Sequence, residues 1–200
     1  MANDDNAIGF VPVRHKKGGQ IRTTPYAIAS SYAVSLGRGD PVKVTGSSGT
    51  VYDYINEAVA TTVTNRGVFI GVRYVDAQGT PVYSDYWTAS TATKGAADAI
   101  AYVVDDPDVV FQIQCDTLAA GDVGALADWD TGTPSATTRK SGVELVSSST
   151  ATTGKSIRIL GLSRTTNSDG SANAFGAYAV ADVVFAEHDL ATAAAGAGGS

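Results

Sequence analysis

Cysteine and histidine are scarce in this sequence, which restricts the chemistry available to it. Among the 200 residues there are one cysteine, Cys115, and two histidines, His15 and His188. A single cysteine excludes an internal disulfide framework and any metal site built from several cysteines. A Ser-His-Asp arrangement would have to use one of the two histidines, but we expect His188 and Cys115 to be structural residues. We predict a protein that is not an enzyme and needs no cofactor or metal.

Long apolar runs and an excess of positive charge are also missing. The longest apolar block, Ala99–Val104, is far shorter than a membrane span. The first ten residues, MANDDNAIGF, carry acids where a signal peptide carries bases. The net charge of −6 and the pI near 4.7 disfavour binding to nucleic acid or to an acidic membrane surface. We expect a protein that folds in a cytosol and binds neither nucleic acid nor membrane.

Small side chains take the place of large ones. Alanine, threonine, glycine and serine supply 92 of the 200 residues, whereas 8% of the residues are aromatic and 17% are charged. This composition favours closely packed sheets with many loops over a large ligand cavity. The length is sufficient for one β-rich domain or two small ones with a sizeable core.

The clearest pattern is AIAYVVDDPDVVFQIQCD, which runs from Ala99 to Asp116. Two β-rich runs, Ala99–Val104 and Val109–Cys115, flank the four residues Asp105–Asp108. An Asp next to a Pro is typical of a type I turn, so the pattern predicts a β-hairpin. In the second run two sets of residues alternate. The apolar set is Val109, Phe111, Ile113 and Cys115, and the other set is Val110, Gln112, Gln114 and Asp116. The alternation predicts one buried face and one face that is offered to water or to a partner.

Most other patterned segments also predict short strands. These segments are Gly9–Val13, Pro41–Thr45, Gly67–Val75, Val82–Ser90, Val143–Val146, Ile157–Arg164 and Gly176–Leu190. Val51–Ala60 fits either a strand or a short helix. A hairpin is expected around Asp76–Gly79, and a helical turn capped by Asp122 is expected within Thr117–Asp128.

Many short strands at this spacing predict an all-β fold. We expect a compact β-barrel or sandwich-like domain with one or two short helical turns and an extended N-terminal arm. The arm is placed at residues 1–19, the β-rich domain at 20–190, and a flexible Ala/Gly tail at 191–200.

Six segments in this order resemble a known family. They are GFVPVRH (Gly9–His15), GDPVKVTGSSG (Gly39–Gly49), YVVDDPDVVFQIQCD (Tyr102–Asp116), AGDVGALAD (Ala120–Asp128), IRILGLSR (Ile157–Arg164) and VADVVFAEHDL (Val180–Leu190). Together they resemble the small cement, or decoration, proteins of tailed-bacteriophage capsids. The resemblance covers roughly Gly9 to Leu190 and is strongest in DDPDVVFQIQ.

The resemblance implies a β-rich homotrimer that binds the major capsid protein on the outer surface of an icosahedral phage head. There it would tie neighbouring capsomers together against the internal DNA pressure, so its expected location is the virion. The basic block Arg14-His15-Lys16-Lys17 is either a solvated loop or a docking arm for an acidic protein surface. The candidate capsid-contact residues are Arg14, His15, Lys16, Lys17 and Arg22. Four aromatic residues are expected either to pack in the core or to lie at a subunit interface, and they are the candidate subunit-interface residues: Tyr83, Tyr86, Trp87 and Trp129.

Other functions remain open at this stage. The same aromatic residues could stack on sugar rings in a carbohydrate-binding or host-attachment module of a phage fibre or surface assembly. A tail-tube or baseplate part is a third possibility. Asp105, Asp106 and Asp108 could hold Ca²⁺, although turn chemistry already explains them. Arg38-Gly39-Asp40 spells a cell-adhesion tripeptide, although a turn into a strand explains it.

Overall fold

The structure is a computed structural model that describes residues 3–49, 51–59 and 65–190. The described chain is all-β, as predicted, with two short 3-10 turns at Lys94–Ala96 and Ala120–Asp122. Its strands are β1 (Val11–His15), β2 (Thr24–Ile28), β3 (Leu36–Gly37), β4 (Pro41–Ser48), β5 (Asp53–Glu57), β6 (Gly67–Val75), β7 (Pro81–Ser84), β8 (Tyr86–Trp87), β9 (Ala99–Val104), β10 (Val109–Gln114), β11 (Thr117–Leu118), β12 (Leu126–Asp130), β13 (Glu144–Ala151), β14 (Ile157–Leu162), β15 (Gly176–Ala177) and β16 (Val180–Phe185). The predicted tail at 191–200 lies outside the described residues.

Five strands close into a small barrel. Their order is β4-β5-β2-β9-β6, and β6 pairs back onto β4, while β7 extends the sheet beyond β6. The pairing of β2 with β5 is parallel and the other pairings in this sheet are antiparallel. Alternate residues of β9, namely Ala99, Ala101 and Val103, point into a core that also contains Phe69 and Trp87. Their small size lets the barrel close tightly around the larger side chains.

A six-stranded antiparallel sheet forms the second body, in the order β1-β10-β16-β14-β12-β13. One face of this sheet belongs to a core that also takes in Val68 and Val104 from the barrel strands. An aromatic cluster lies in that core, where the Phe10 ring meets Trp129 edge to face at 5.5 Å and lies 5.0 Å from Phe185. The barrel and the sheet therefore share buried apolar surface.

The predicted hairpin over Ala99–Cys115 is wrong, although both of its strands and its turn are present. β9 pairs with β2 and β6 in the barrel, whereas β10 pairs with β1 and β16 in the sheet. The turn keeps the expected chemistry, because the Asp106 carboxylate accepts the Asp108 N–H at 2.8 Å. Residues 105–108 therefore carry the chain from one body to the other, and each strand finds its partners far away in sequence.

Several other segments differ from their predicted extents. Val82–Ser90 is broken at Asp85 into β7 and β8, and Gly176–Leu190 is broken near Tyr178, whose φ of 56° is left-handed. Val51–Ala60 contains the strand β5, not a helix. Within Thr117–Asp128 the helical turn is only three residues long, and Asp122 lies at its end, where its carboxylate accepts the Ala119 N–H.

The first described residues lie against the six-stranded sheet. Asn6 donates its N–H to Gln114 Oε1 at 2.9 Å, and Gln114 Nε2 donates to the Asp4 carbonyl at 2.5 Å. The Asp4 carboxylate accepts the Ser168 N–H at 2.6 Å. These bonds cover one end of the face of β10 that was expected to meet water or a partner, and Gln114 is buried there. Within the described part of the chain, no helix is long and apolar enough to cross a membrane.

Candidate interaction surfaces

The basic block and the acidic turn, which are about 90 residues apart in sequence, meet in space. His15 Nε2 lies 3.0 Å from Asp106 Oδ2, and Lys17 Nζ lies 2.6 Å from Asp108 Oδ2. Lys16 Nζ is 3.5 Å from the other oxygen of Asp108. We call these five residues the clasp. The clasp joins the end of β1 to the turn between the two bodies.

The hydrogen bonds of His15 fix the position of its ring proton. Nδ1 accepts hydrogen bonds from the backbone N–H groups of Lys17 and Gly19, both at 3.1 Å. Nε2 therefore carries the proton and donates a hydrogen bond to the Asp106 carboxylate. The hydrogen bond from Lys17 holds the pKa of Asp108 below its usual range, and the same bond raises the pKa of Lys17. The imidazole and the two carboxylates are thus engaged within the chain.

The predicted calcium ligands do not come together. The Asp105 carboxylate faces β2, where it accepts the hydroxyls of Thr24 and Tyr26, both at 2.8 Å. The ligand atoms that do converge, within 4.8 Å of one another, are those of His15, Asp106 and Asp108. The ammonium groups of Lys16 and Lys17 already neutralise Asp108. We therefore interpret the cluster as a set of ion pairs within the chain and do not propose a metal site there.

Most of the predicted capsid-contact residues have acidic partners in their own chain. The clasp pairs His15, Lys16 and Lys17, and the Arg14 guanidinium reaches over β10 to Asp182 at 3.6 Å. Arg22 is exposed and has no ion pair among the described residues. The positive charge of this block is therefore largely compensated before any partner arrives.

The two tryptophans are core residues, which removes them from the predicted subunit interface. Trp87 is 0% exposed and packs edge to face on Tyr74 at 5.5 Å. Trp129 is 3% exposed and donates its indole N–H to the Ala58 carbonyl at 3.4 Å. Neither ring is available to a second subunit or to a sugar. The sequence ADWD could have predicted the burial of Trp129, because alternation in a strand turns the tryptophan inward and its acidic neighbours outward.

The other two predicted interface residues differ in exposure. Tyr86 is half-buried on β8, whereas Tyr83 on β7 is 70% exposed. In the strand register Tyr83 lies opposite Arg73, which in turn lies opposite Ile100. Of the four predicted interface residues, only Tyr83 presents most of its side chain to solvent.

In the Arg38-Gly39-Asp40 tripeptide, Arg38 is exposed but Gly39 and Asp40 are buried. Asp40 is 0% exposed, and its carboxylate accepts the Gly37 N–H at 2.7 Å. Burial raises the pKa of Asp40 to about 6, and hydrogen bonds from Ser141 and Gly37 offset part of this effect. Because an adhesion motif must offer its carboxylate to a receptor, the buried Asp40 excludes that role.

Cys115 and His188 have the structural environments that were predicted for them. Cys115 is fully buried, and burial raises the pKa of its thiol to about 12. His188 is also fully buried, and its Nδ1 accepts the Leu190 N–H at 3.2 Å. Burial lowers the pKa of His188. Both side chains help to hold the interior together.

A cleft that the sequence did not predict lies where β1 meets the loop at 134–141. The cleft has a volume of about 360 Å³. Its apolar lining comes from Ile8, Phe10, Val11 and Pro12, and its polar lining from Arg38, Asp85, Thr138, Arg139 and Lys140. We call it the cationic cleft. No local pattern could predict it, because its cations come from segments about 100 residues apart.

Two backbone hydrogen bonds bring these distant segments together. Arg38 donates its N–H to the Arg139 carbonyl at 2.9 Å, and Ser141 donates its N–H to the Arg38 carbonyl at 2.9 Å. The bonds form a short parallel bridge between Arg38 and Lys140. The bridge places the side chains of the loop beside Arg38.

Comparison with protein-family models, with curated proteins and with solved structures finds no match to this chain. A functional assignment therefore rests on the sequence segments, the fold and the surface.

Proposed function

We propose that this protein is a cement protein that decorates the outer surface of an icosahedral phage head and ties neighbouring capsomers together. One observation carries the proposal. Of the six segments that resemble capsid decoration proteins, five contribute β1, β10, β16, β14 and β12, which are successive neighbours in one sheet. Segments scattered along the chain thus assemble into one continuous unit. This arrangement is what we expect if the resembling segments form a common structural framework, and it supports the proposal.

The physical demands of this role suit the molecule. A cement protein stabilises the expanded shell by binding it more tightly than the unexpanded shell, which requires complementary surface and not a reactive group. The clasp and the shared core join the barrel to the sheet, so the surface is presented on a connected body. In the proposed homotrimer, three linked copies would raise the effective concentration at each site on the major capsid protein.

The test is binding of the purified protein to expanded, undecorated heads of its cognate phage. We expect co-sedimentation, density at threefold or quasi-threefold positions in images of the particles, and heads that survive higher temperatures. Unexpanded proheads are the matched control and should bind more weakly. A folded protein that leaves the heads bare would contradict the proposal.

Carbohydrate binding is a second candidate, and it now depends on Tyr83. Both tryptophans are buried, but Tyr83 is 70% exposed and lies opposite Arg73 in the strand register. An exposed tyrosine can stack on a sugar ring, and the arginine can donate hydrogen bonds to it. A glycan array with the wild type and Tyr83→Ala tests this candidate. Tyr83-dependent binding to one glycan, together with bare heads, would favour it over the cement function.

A further inference from the structure

The cationic cleft concentrates positive charge in an acidic protein. The chain has a net charge of −6, yet Arg38, Arg139 and Lys140 line one cleft that holds a single acidic residue, Asp85. Like charges repel each other, so the clustering is unfavourable by itself. The clustering therefore depends on the backbone that carries the three residues.

The loop is built to hold its cations in place. Arg139 donates its N–H to the Ser135 carbonyl at 2.7 Å, and Ser135 donates its N–H to the Lys140 carbonyl at 2.9 Å. Arg139 itself has a left-handed φ of 61°, a conformation that an arginine adopts only when its surroundings enforce it. The free energy needed to order the loop and to bring the cations together is spent during folding and not during binding. The cleft is therefore preorganised for an anion.

The cations of the cleft differ from those of the clasp in being available. No acidic group lies within ion-pair distance of Arg139 or Lys140 among residues 3–49, 51–59 and 65–190. Arg38 is 3.5 Å from Asp85, and both side chains are more than half exposed. Ion pairs of this kind contribute little free energy and are easily exchanged for another carboxylate.

The apolar floor of the cleft favours a ligand that also has apolar groups. Ile8, Val11 and Pro12 line it, and Val11 and Pro12 belong to β1, the edge strand of the six-stranded sheet. A nucleic acid would meet only three cations here and would leave the apolar floor unused. A peptide with carboxylates for the rim and apolar side chains for the floor complements both features.

We propose that the cationic cleft binds an extended peptide segment in which Asp or Glu residues alternate with apolar ones. This inference rests on the proposed function, since the segment would belong to the capsid protein that the cement protein contacts. It moves the docking surface from the clasp to the cationic cleft. There Arg139 and Lys140 have no ion pair among the described residues, and the ion pair of Arg38 with Asp85 is exposed to solvent.

Three labelled octapeptides of defined chemistry serve as probes, measured by fluorescence polarisation with the full chain. One alternates Glu with Val, one alternates Glu with Ser, and one alternates Lys with Val. We expect the Glu–Val peptide to bind at least about tenfold more tightly than either of the others. Its affinity should fall severalfold between low and high salt, because its binding depends on exposed charges.

Charge reversal locates the binding site. Arg139→Glu/Lys140→Glu should weaken binding of the Glu–Val peptide by at least about tenfold. Lys43→Glu/Lys94→Glu makes the same change in net charge away from the cleft and should leave the affinity within about twofold. Circular dichroism checks that both variants fold. Equal losses in the two variants, or no binding of the Glu–Val peptide to the wild type, would overturn the proposal.

The same variants separate this inference from the proposed function. If expanded heads bind the wild type and Arg139→Glu/Lys140→Glu equally well, the cleft is not the docking site but the cement function stands. If the heads stay bare while the Glu–Val peptide binds at the cleft, the cement function fails and the peptide site stands. If Arg139→Glu/Lys140→Glu loses binding to the heads and to the Glu–Val peptide while Lys43→Glu/Lys94→Glu keeps both, the cement function and the peptide site are both supported.

Discussion

The imidazole of His15 donates a hydrogen bond to the carboxylate of Asp106 across 3.0 Å. One residue ends the edge strand of the six-stranded sheet, and the other lies in the turn that leaves the barrel. The His15 side chain is only 11% exposed, whereas the neighbouring Lys17 side chain is 75% exposed. The two parts of the clasp should therefore contribute differently to stability.

Replacing the buried part of the clasp should destabilise the protein measurably. We expect His15→Ala to lower the free energy of unfolding by about 1–2 kcal/mol, because the hydrogen bond between a largely buried imidazole and the Asp106 carboxylate is lost. Urea denaturation of His15→Ala, Asp106→Asn and the double variant measures the coupling between the two residues. Lys17→Ala is the control and should leave stability nearly unchanged, since exposed ion pairs contribute little. Strictly additive losses would show that the pair is not coupled.

The buried carboxylate of Asp40 should make stability depend on pH. Burial raises its folded-state pKa from the ordinary value of 3.8 to about 6, so the folded state binds the proton more tightly than the unfolded state. The contribution of Asp40 is therefore most favourable at low pH and is lost as pH rises through this interval. Relative to the wild type, Asp40→Asn should gain about 2–3 kcal/mol of stability between pH 4 and pH 7.

Denaturation curves at several pH values measure this difference. Ser141→Ala is the companion variant, because loss of its hydroxyl removes a hydrogen bond that lowers the pKa of Asp40. The pH-dependent loss of stability should then extend to higher pH. A constant difference between wild type and Asp40→Asn from pH 4 to pH 7 would contradict the burial of an ionisable group.

Gly132 should tolerate no side chain. An added Cβ would collide with the backbone of Gly142, on the opposite side of the loop that carries Arg139 and Lys140. Because backbone atoms cannot yield as a flexible side chain can, we expect Gly132→Ala to cost about 2–3 kcal/mol and to displace the loop. Thermal unfolding measures the cost. Gly121→Ala, where an added Cβ meets nothing within 4 Å, is the control and should leave the unfolding temperature unchanged.

The burial of both tryptophans predicts a simple optical result. Iodide should quench the fluorescence of the native protein only weakly, because Trp87 and Trp129 are 0% and 3% exposed. Unfolding in urea should restore strong quenching. Sugars should leave the emission unchanged even if Tyr83 binds them. Strong quenching of the native protein would mean that at least one tryptophan lies at the surface.

The sequence located secondary structure better than it located strand partners. The β-rich composition predicted β9 with its observed bounds. Composition together with alternation predicted β10 to within one residue, since inward and outward side chains leave a period of two in the chain. The sequence also predicted that the two strands pair with each other, which they do not. A strand takes the partner that best buries its apolar face, and that partner lies elsewhere in the sequence.

The sequence likewise showed the charged segments but not which of them meet in space. The basic block and the acidic turn were both visible in the sequence, but their mutual neutralisation was not. The cationic cleft was invisible, because Arg38 and Arg139 meet only through a backbone bridge between distant segments. The sequence left core packing and a subunit interface both open for Trp129, and the structure places it in the core.

The sequence by itself determined the all-β class, the positions of most strands, the DDPD turn and the structural nature of Cys115. These properties follow from local periodicity, local turn chemistry and the polarity of single side chains. Only the tertiary structure decided the closed barrel, the separation of β9 from β10, the clasp and the cationic cleft. Each of these depends on which distant segments come together, and burial and hydrogen bonding settle that choice over the whole chain at once.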